Sequence, residues 1–296
     1  MKATLIERAR IIKSIRAFFD ARDFIEVETP VRIAAPAPEE YIDCPPVATG
    51  GFLRASPELQ MKKLLSMGMD KIYQIGPCFR DGEKGSRHNP EFTMIEWYRR
   101  DADYGDIADD LEKLFCELKG QLVPAEGFRR IAVRDAYREF AGWDPWDGRW
   151  ERDRFDFDMA TVIEPKLKEI GGGIFLMDYP PQAASLAKIR ENDGAAVAER
   201  WEFYYDGMEL ANCFSELCDG VEQRRRFEAA RAERRALGEA DYPFDEEFLE
   251  TVGAIGKAAG VALGIDRLVM TLLGLDEITK VMLHQALLSK AERTFD

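Results

Sequence analysis

Two glutamates seven positions apart lie in an otherwise mostly apolar or small stretch, GMELANCFSEL, at residues 207–217. Burying a carboxylate is costly unless a cation or hydrogen-bond donors pair with it, so Glu209 and Glu216 are predicted to face a partner. In a regular strand Glu209 would face one way, and Asn212 and Glu216 the other. All three can serve one site only if the strand bulges, and the sequence predicts a kink near Ala211-Asn212.

The residues just before this stretch predict a hairpin that brings in another carboxylate. Asp206-Gly207 between two β-rich segments is a strong signal for a two-residue turn. The turn pairs Tyr204 with Glu209 and Glu202 with Ala211, which makes the two glutamates diagonal neighbours. Two carboxylates this close repel each other unless a proton or cation lies between them. Mg²⁺ bound together with substrate phosphates is one interpretation, and two solvated glutamates on an exposed face is the other.

A second hairpin is predicted from KIYQIGPCFRD (71–81) and EFTMIEWYR (91–99), which both alternate in polarity. Arg80, near its tip, could hold a phosphate or a carboxylate through two parallel hydrogen bonds. Phe92, Glu96 and Tyr98 share one face of the second strand. Phe92 could stack on a base, and Glu96 and Tyr98 could receive an ammonium group. The alternative is a core phenylalanine among surface charges.

The third candidate is GVALGIDRLVM at residues 260–270, where a strand is predicted to run into a helix. Gly260 and Gly264 would let a ligand approach the backbone closely. Arg267 could lie against an adenine or reach a phosphate. The glycine patterns of Walker and dinucleotide-binding loops are absent in the required contexts. The alternative is ordinary packing at a helix start, with Asp266 as a cap.

Strands interleaved with helices and joined largely by hairpins predict an α+β fold with a mainly antiparallel sheet, in a single domain over 1–296. Residues 121–170 show no clear chemistry, and the charged segment 221–238 is expected to present a solvated face. The predicted helices cover 4–22, 56–68 with Ser56 as N-cap, 106–119 and 221–238. The predicted strands cover 24–30, 71–81, 91–99 and 173–180, and 260–274 is a strand that leads into a helix.

Composition limits the function further. The net charge of −14 disfavours a broad nucleic-acid surface. No apolar segment approaches the length of a membrane span, and five scattered cysteines fit a reducing cytoplasm. Cys213 and Cys218 lack the further ligands that a zinc site needs. With two histidines, His88 and His284, a histidine-centred triad is not expected.

Taken in order, these segments resemble the three motifs of class II aminoacyl-tRNA synthetases. ARIIKSIRAFFDARDFIEVETP is similar to motif 1, CFRDGEKGSRHNPEFTMIEWY to motif 2 and GVALGIDRLVM to motif 3. SPELQMKKLL and GMELANCFSEL are close to strings of the lysyl subgroup. The resemblance covers nearly the whole chain and implies a class II catalytic domain.

Three departures indicate a particular branch. Motif 1 begins near residue 5, so no OB anticodon-binding domain is expected. Ala262 stands where lysyl-tRNA synthetases typically have glycine, and YPPQAASLAKI has ASL in place of SPL. These features resemble the truncated paralogues that aminoacylate a protein, the elongation factor P–(R)-β-lysine ligases. That resemblance implies a homodimer through motif 1, whereas the cytoplasmic location and the expectation of no membrane partner come from the composition.

The resemblance also implies a role for each matching residue. Arg80 and Arg267 would be catalytic. The ATP-binding positions would be Arg80, Asp81, Gly82, Glu83, His88, Asn89, Phe92, Glu209, Leu210, Gly264 and Arg267. The substrate-binding positions would be Ser56, Glu58, Glu96, Tyr98, Asn212, Glu216 and Ala262. Glu202 and Glu209 would bind Mg²⁺. Gly82 stands where the family often has glutamate, and Cys213 where it commonly has glycine.

The implied reaction joins lysine or β-lysine to ATP as an aminoacyl adenylate, then transfers it to a lysine side chain of elongation factor P. The first step needs positioning and charge stabilisation more than proton transfer, which two arginines and Mg²⁺ can supply. The sequence shows no clear base for the second step. Two alternatives stay open. The first is a minimal lysyl-tRNA synthetase, although the acidic charge balance argues against tRNA as a partner. The second is a silent paralogue that binds ATP or lysine as a regulator.

Overall fold

Nine strands form one sheet in the computed structural model of the chain, which describes residues 1–39, 41–119, 122–192 and 194–283. His284 lies outside the described residues. The strands are β1 Ile25–Glu26, β2 Arg32–Ile33, β3 Phe52–Leu53, β4 Lys71–Phe79, β5 Glu91–Arg100, β6 Arg129–Ala132, β7 Gly173–Tyr179, β8 Ile189–Asn192, β9 Ala195–Tyr205, β10 Met208–Ser215 and β11 Ala258–Gly264. The large sheet has the order β1-β4-β5-β11-β10-β9-β7-β6, with β8 paired to β9, and β2 and β3 form a separate ribbon.

The sheet is mainly antiparallel, as predicted, and the pairs β1–β4 and β6–β7 are parallel. The predicted hairpin 71–99 is β4 paired with β5, from Lys71 opposite Arg99 to Phe79 opposite Glu91. The predicted strand 24–30 is shorter than expected. Thr29 donates its backbone N–H to the Gln74 side chain instead of to a strand, and Pro30 has no N–H to donate.

Helices flank the sheet on both sides. They are α1 Lys2–Asp20, α2 Glu58–Ser66, α3 Tyr104–Lys119, α4 Val133–Ala136, α5 Arg152–Asp158, α6 Glu164–Ile170, α7 Gly220–Leu237, α8 Glu246–Thr251 and α9 Ile265–Leu273. The predicted helices correspond to α1, α2, α3, α7 and α9. Ser56 caps α2 from one position further out than expected, because its Oγ accepts the N–H of Glu58 at 2.9 Å. The segment 121–170, which gave no clear signal, contributes β6 and α4 to α6.

The two faces of the sheet have different tasks, since successive side chains of a strand point to opposite sides. One face packs against α1, α3 and α9 and buries Tyr73, Trp97, Trp201 and Val261 completely or nearly so. The opposite face carries the predicted site residues of β5, β10 and β11. The core under α1, α3 and α9 therefore holds the strands that position the site.

Helix α7 is more than the solvated face that the sequence predicted, because Arg234 is completely buried. Its Nη1 donates to the backbone oxygen of Glu39 at 2.7 Å, its Nε donates to that of Ala240 at 2.9 Å, and its guanidinium pairs with Asp43. Arg234 thus anchors the loop between β2 and β3 to α7. No helix among the described residues is long and apolar enough to cross a membrane.

Candidate active site

A cavity of about 410 Å³ lies on the open face of the sheet, over β5, β10 and β11, and we call it the first cavity. It brings together the predicted site residues Ser56, Glu58, Arg80, Glu83, His88, Asn89, Phe92, Glu96, Tyr98, Glu202, Glu209, Leu210, Asn212, Glu216, Ala262, Gly264 and Arg267. Asp81 and Gly82 do not line it. They are exposed, and the Asp81 N–H donates to the backbone oxygen of Asp43, on the far side of the loop.

The strand that opened the sequence analysis contains the predicted irregularity. In β10, Glu209 lies opposite Tyr204 and Ala211 opposite Phe203, so Leu210 is an extra residue. The bulge is one position earlier than the kink predicted at Ala211-Asn212. Because of it, the predicted pairing of Glu202 with Ala211 is wrong, and Glu202 lies opposite Asn212. The extra residue reverses the alternation, so Glu209, Asn212 and Glu216 all line one cavity.

The turn before β10 has the conformation that the sequence predicted. Asp206 and Gly207 both have positive φ, 47° and 73°, as a two-residue hairpin with matching twist requires. Asp206 Oδ1 accepts the N–H of Gly172 at 2.8 Å. A Cβ on Gly207 would lie 2.4 Å from the Cβ of Lys168 in α6, so glycine is needed there for space as well.

One end of the first cavity is lined by arginines. The Arg80 guanidinium lies 5.2 Å from the centre of the Phe92 ring, and its nearest acid is Glu83 at 3.5 Å. Its buried Nε has no hydrogen-bond partner within the described part of the chain. A buried donor without a partner points to a ligand that would supply an acceptor oxygen.

Arg267, at the start of α9, closes the same end. Its Nη1 donates to the backbone oxygen of Glu209 at 2.9 Å and lies 3.2 Å from the Glu209 carboxylate. Burial and the neighbouring Arg267 charge lower the pKa of His88. Asp266 is a tether and not the helix cap that was the alternative: its oxygens accept from Arg8 Nη2 and from the N–H of Thr93, each at 2.7 Å.

Glu202 and Glu209 lie near each other, yet their surroundings differ. Burial and the charge of Glu202 raise the pKa of Glu209. Glu202 is already bound by the Arg200 guanidinium and by the Tyr204 hydroxyl at 2.7 Å. No group of three or more acids, histidines or cysteines in the described ranges is arranged to hold a metal. Glu209 is therefore suited to act as one ligand of a magnesium ion, and a bound ion would need phosphate oxygens to complete its coordination shell.

The other end of the cavity is a buried cluster of three carboxylates and one ammonium group, which we call the acidic cluster: Glu58, Lys62, Glu96 and Glu216. Lys62 Nζ donates to Glu58 Oε1 at 2.6 Å and contacts Glu216 Oε2. Ser56 Oγ donates to one oxygen of Glu96 at 2.6 Å and the Tyr98 hydroxyl to the other at 2.8 Å.

The acidic cluster has more negative than positive charge when its groups are ionised. Burial and the charge of Glu58 raise the pKa of Glu96 to about 7. Burial, partly opposed by Lys62, raises the pKa of Glu216 to about 8. Among the described residues, no group meets ordinary hydrogen-bond geometry with either Glu216 oxygen. A ligand with an ammonium group would supply both the missing charge and the missing donors.

Sequence reasoning missed Lys62 and Arg200. Burial alone would lower the pKa of Lys62, but Glu216 and Glu58 raise it. Its spacing of four residues from Glu58 was the available signal, since such residues are neighbours on a helix. Arg200 precedes the predicted hairpin and donates from Nε to Asn212 Oδ1 at 3.2 Å. No motif indicated that its side chain would reach the cavity.

Ala262 lies at the centre of the wall, opposite Asn212 on one side and Glu96 on the other. Its methyl group therefore lies between the arginine end and the acidic cluster. Two positions before it, Gly260 makes room for Tyr98, because a Cβ there would lie 2.1 Å from the Tyr98 ring. The wall is thus packed closely on the Tyr98 side of Ala262.

A family model for class II tRNA synthetases of the D, K and N type matches residues 1–286. The chain belongs to the class II tRNA synthetase family. A relative from Proteus mirabilis named elongation factor P–(R)-β-lysine ligase is 36% identical over 95% of this chain and 94% of its own length. Relatives of the same name from Photobacterium profundum and Vibrio cholerae are each 37% identical over 94% of this chain, and over 94% and 93% of their own lengths. The family resemblance inferred from the three motifs is confirmed.

Class II membership agrees with the fold, a mainly antiparallel sheet with helices on both sides. The motif segments of this class II chain meet around one cavity. Motif 2 supplies the end of β4, most of β5 and the loop between them, and motif 3 supplies most of β11 and of α9. Motif 1 supplies α1, whose Arg8 binds both Asp266 of motif 3 and Thr93 of motif 2.

Proposed function

We propose that the chain activates (R)-β-lysine or lysine with ATP and transfers the aminoacyl group to a lysine side chain of elongation factor P. The observation that carries this proposal is the acidic cluster at one end of a cavity whose other end presents Arg80 and Arg267. A diamino acid would bring ammonium groups to the acidic cluster, and a nucleotide would bring phosphates to the two arginines. The names of the relatives support the choice of acceptor.

In the first step a carboxylate oxygen of the amino acid attacks the α-phosphorus, and the bond to pyrophosphate breaks. We assign Arg80 to the α-phosphate and the attacking carboxylate, because its unpartnered Nε needs an acceptor. Arg267 would cover the adenine opposite Phe92 and reach the γ-phosphate. Mg²⁺ would be held by Glu209 with Glu202 beside it, and when bound it would neutralise phosphate charge.

The acidic cluster would orient the amino acid. Glu216, Glu96 and Tyr98 would receive the distal ammonium, Ser56 and Glu58 the amine nearer the carboxylate, and Asn212 the carboxylate side. His88, Asn89, Glu83, Leu210 and Gly264 would border the nucleotide. These assignments are the roles that the family resemblance implies, and the fact that all of these residues line one cavity supports them.

The proposal includes a homodimer through motif 1 and a cytoplasmic site of action. Exposed apolar side chains support a protein contact there, since Ile6 of α1 is 43% exposed and Ile25 of β1 is 54% exposed. β1 also lies at the edge of the sheet. We treat the whole chain as one catalytic domain, because the sheet takes strands from residues 25 to 264.

Mass spectrometry of elongation factor P after incubation with the protein, ATP and each lysine isomer tests the proposal. We expect a mass increase of one aminoacyl group, larger with (R)-β-lysine than with lysine. A parallel tRNA-charging assay should stay at background. Charging of tRNA without modification of elongation factor P would favour a minimal lysyl-tRNA synthetase, and absence of amino-acid-dependent pyrophosphate exchange would favour a silent regulator.

A further inference from the structure

A second cavity, of about 730 Å³, adjoins the first. The two share part of their lining, namely Glu39, Ile42, Arg200, Glu202 and Asn212. Apolar and aromatic side chains of the second cavity include Trp150, Phe155, Met159 and Tyr179, and charged side chains of both signs line it too. Because the two cavities meet at the shared residues, the second offers a route into the site.

The chemistry of this route suits an alkylammonium chain. Methylene groups pack well along aromatic walls while the charged head reaches a polar end, and here that end carries Glu39 and Glu202. Four arginines also line this cavity, and each is already engaged. The Arg200 guanidinium pairs with Glu202, donates to the Ala183 oxygen at 2.8 Å and lies 4.4 Å from the Tyr179 ring centre. Arg225 and Arg226 pair with Glu222, and Arg152 donates to the Gln182 oxygen at 3.2 Å.

The inner end of the second cavity also has a polar atom that lacks a good partner. The Tyr179 side chain is 2% exposed, and its hydroxyl lies near Glu202 without meeting ordinary hydrogen-bond geometry. Buried hydroxyl groups are normally satisfied, so a ligand at this position would complete the environment. The observation is independent of the shape of the cavity.

We propose that the second cavity admits the lysine side chain of the protein acceptor and that Glu39 takes the proton from its ammonium group. The inference rests on the proposed function and supplies the base for the transfer step. Glu39 is suited by position, because it lines both cavities where they meet.

Hydrogen bonds hold the backbone on both sides of the Glu39 α-carbon. The buried Arg234 donates to the Glu39 oxygen at 2.7 Å, and the Glu39 N–H donates to the Ala37 oxygen at 2.9 Å. The charged groups that act on its carboxyl are Glu58 and Lys62 of α2, Arg80 of the β4–β5 loop and Arg200 of β9. Burial and the charge of Glu58 raise the pKa of Glu39 to about 7, the range that suits a base at neutral pH.

The step balances as follows. The acceptor ammonium gives one proton to the Glu39 carboxylate and becomes a neutral amine. Its nitrogen attacks the carbonyl carbon of the adenylate, a carbon–nitrogen bond forms, and the carbon–oxygen bond to the phosphate of AMP breaks. The second proton of the new ammonium-like nitrogen leaves to the AMP phosphate or to water as the amide forms.

The test separates the two steps with the variants Glu39→Gln and Glu39→Asp. The matched control is Glu233→Gln, an exposed carboxylate that lines the second cavity and not the first. Pyrophosphate exchange measures activation. Transfer is measured in a single turnover, by mixing purified enzyme–adenylate complex with elongation factor P between pH 6 and pH 10.

We expect exchange within about twofold of the unmodified enzyme for all three variants. Transfer at pH 7 should fall roughly 10²-fold or more in Glu39→Gln, partly recover in Glu39→Asp and be unchanged in Glu233→Gln. The Glu39→Gln rate should rise with pH as the acceptor amine, with a pKa of about 10.4, loses its proton without help.

Transfer by Glu39→Gln at the unmodified rate across this pH range would overturn the inference alone. Loss of pyrophosphate exchange in Glu39→Gln would also overturn it, because the residue would then act in activation or in folding. If the unmodified enzyme itself shows no amino-acid-dependent exchange, the proposed function fails, and the inference fails with it.

Discussion

The two ends of the first cavity differ in how far their charged side chains are buried. At the nucleotide end, the Arg80 and Arg267 side chains are 25% and 21% exposed and bind backbone oxygens or partly exposed acids. In the acidic cluster, the Lys62 and Glu216 side chains are only 2% and 1% exposed. The arginines keep their charge with or without a ligand, whereas the buried carboxylates change protonation with their surroundings. Phosphate binding should therefore depend on salt, and amine binding on pH.

The difference also shows how selectivity arises. A partly exposed arginine accepts phosphates or carboxylates of many ligands. The acidic cluster contains three carboxylates against one lysine, and when these groups are ionised their charge is balanced only if a ligand brings further cations. The arginine end thus supplies general affinity for anions, and the acidic cluster selects a ligand with two amino groups.

The substitution Lys62→Met removes the internal cation of the acidic cluster and is the strongest test of the difference between the two ends. We expect the free energy of unfolding to fall by about 3–5 kcal/mol, because Glu58 and Glu216 would stay buried without their partner. Urea denaturation measures it. Lys166→Met is the control, since that side chain is 46% exposed and pairs with exposed Glu169. Equal stabilities would mean that the cluster does not need its lysine.

At the nucleotide end the largest effect is expected from Arg80→Ala. Pyrophosphate exchange should fall about 10²- to 10³-fold, because a preorganised donor to developing phosphate charge is lost. Arg80→Lys should recover only part of the rate, since lysine cannot make the two parallel hydrogen bonds. Arg130→Ala, which removes an exposed arginine paired with Asp109, should leave the rate unchanged. A fully active Arg80→Ala variant would remove Arg80 from the mechanism.

Ala262→Gly tests the wall between the two ends. Removing the methyl group should raise lysine activation relative to (R)-β-lysine, because one methyl in a packed wall can cost a misfitting ligand about 1–3 kcal/mol. The ratio should change roughly 5- to 150-fold in pyrophosphate exchange. Ala259→Gly is the matched control, on the same strand but buried on the face away from the cavity. An unchanged ratio in Ala262→Gly would contradict the prediction.

The pH dependence of amine binding is the smallest expected effect. The substrate ammonium favours ionised carboxylates, and the pKa values of Glu96 and Glu216 are raised to about 7 and about 8. The dissociation constant of the diamino ligand should therefore decrease roughly fivefold from pH 7 to pH 8 when the Glu216 proton must be released. Calorimetry in buffers of different ionisation enthalpy measures that proton. ATP binding should vary much less over the same range.

The same groups set the sign of a stability effect in the free protein. Because Glu216 binds its proton more tightly in the folded than in the unfolded chain, the stabilisation is full below pH 4.5 and is lost as pH rises through about 8. Addition of the diamino ligand at pH 8 should restore more stability than addition at pH 6. The reverse order in thermal melts would mean that the cluster is ionised without the ligand.

The sequence predicted the strands that carry the site better than the side chains that complete it. The hairpin of β4 and β5 and the turn at Asp206-Gly207 follow from alternation and local turn chemistry, and both are present. The bulge in β10 was predicted because Glu209 and Glu216 would face opposite ways in a regular strand. Its position at Leu210 depends on hydrogen bonding to β9. Local patterns are sufficient for such features because neighbouring residues determine them.

Lys62 and Arg200 were missed because no local pattern shows which charged side chains will be buried in the site. Lys62 meets Glu216 across about 150 positions of sequence, and an amphipathic helix gives no sign of which charged residue it will bury. Asp81 and Gly82 are the opposite case. They belong to the motif 2 string, yet they are exposed and do not line the first cavity.

The bulged strand β10 also fixes a distance within the site. From Glu209 to Glu216 the chain has six ladder steps after the extra residue is discounted, a span of about 20 Å at the usual rise per residue. Hydrogen bonds to β9 and β11 on both sides prevent the strand from stretching. The backbone therefore fixes the distance between the acid assigned to the magnesium ion and the acid assigned to the distal ammonium group. The adenylate of a diamino acid one methylene shorter would not reach both acids at once.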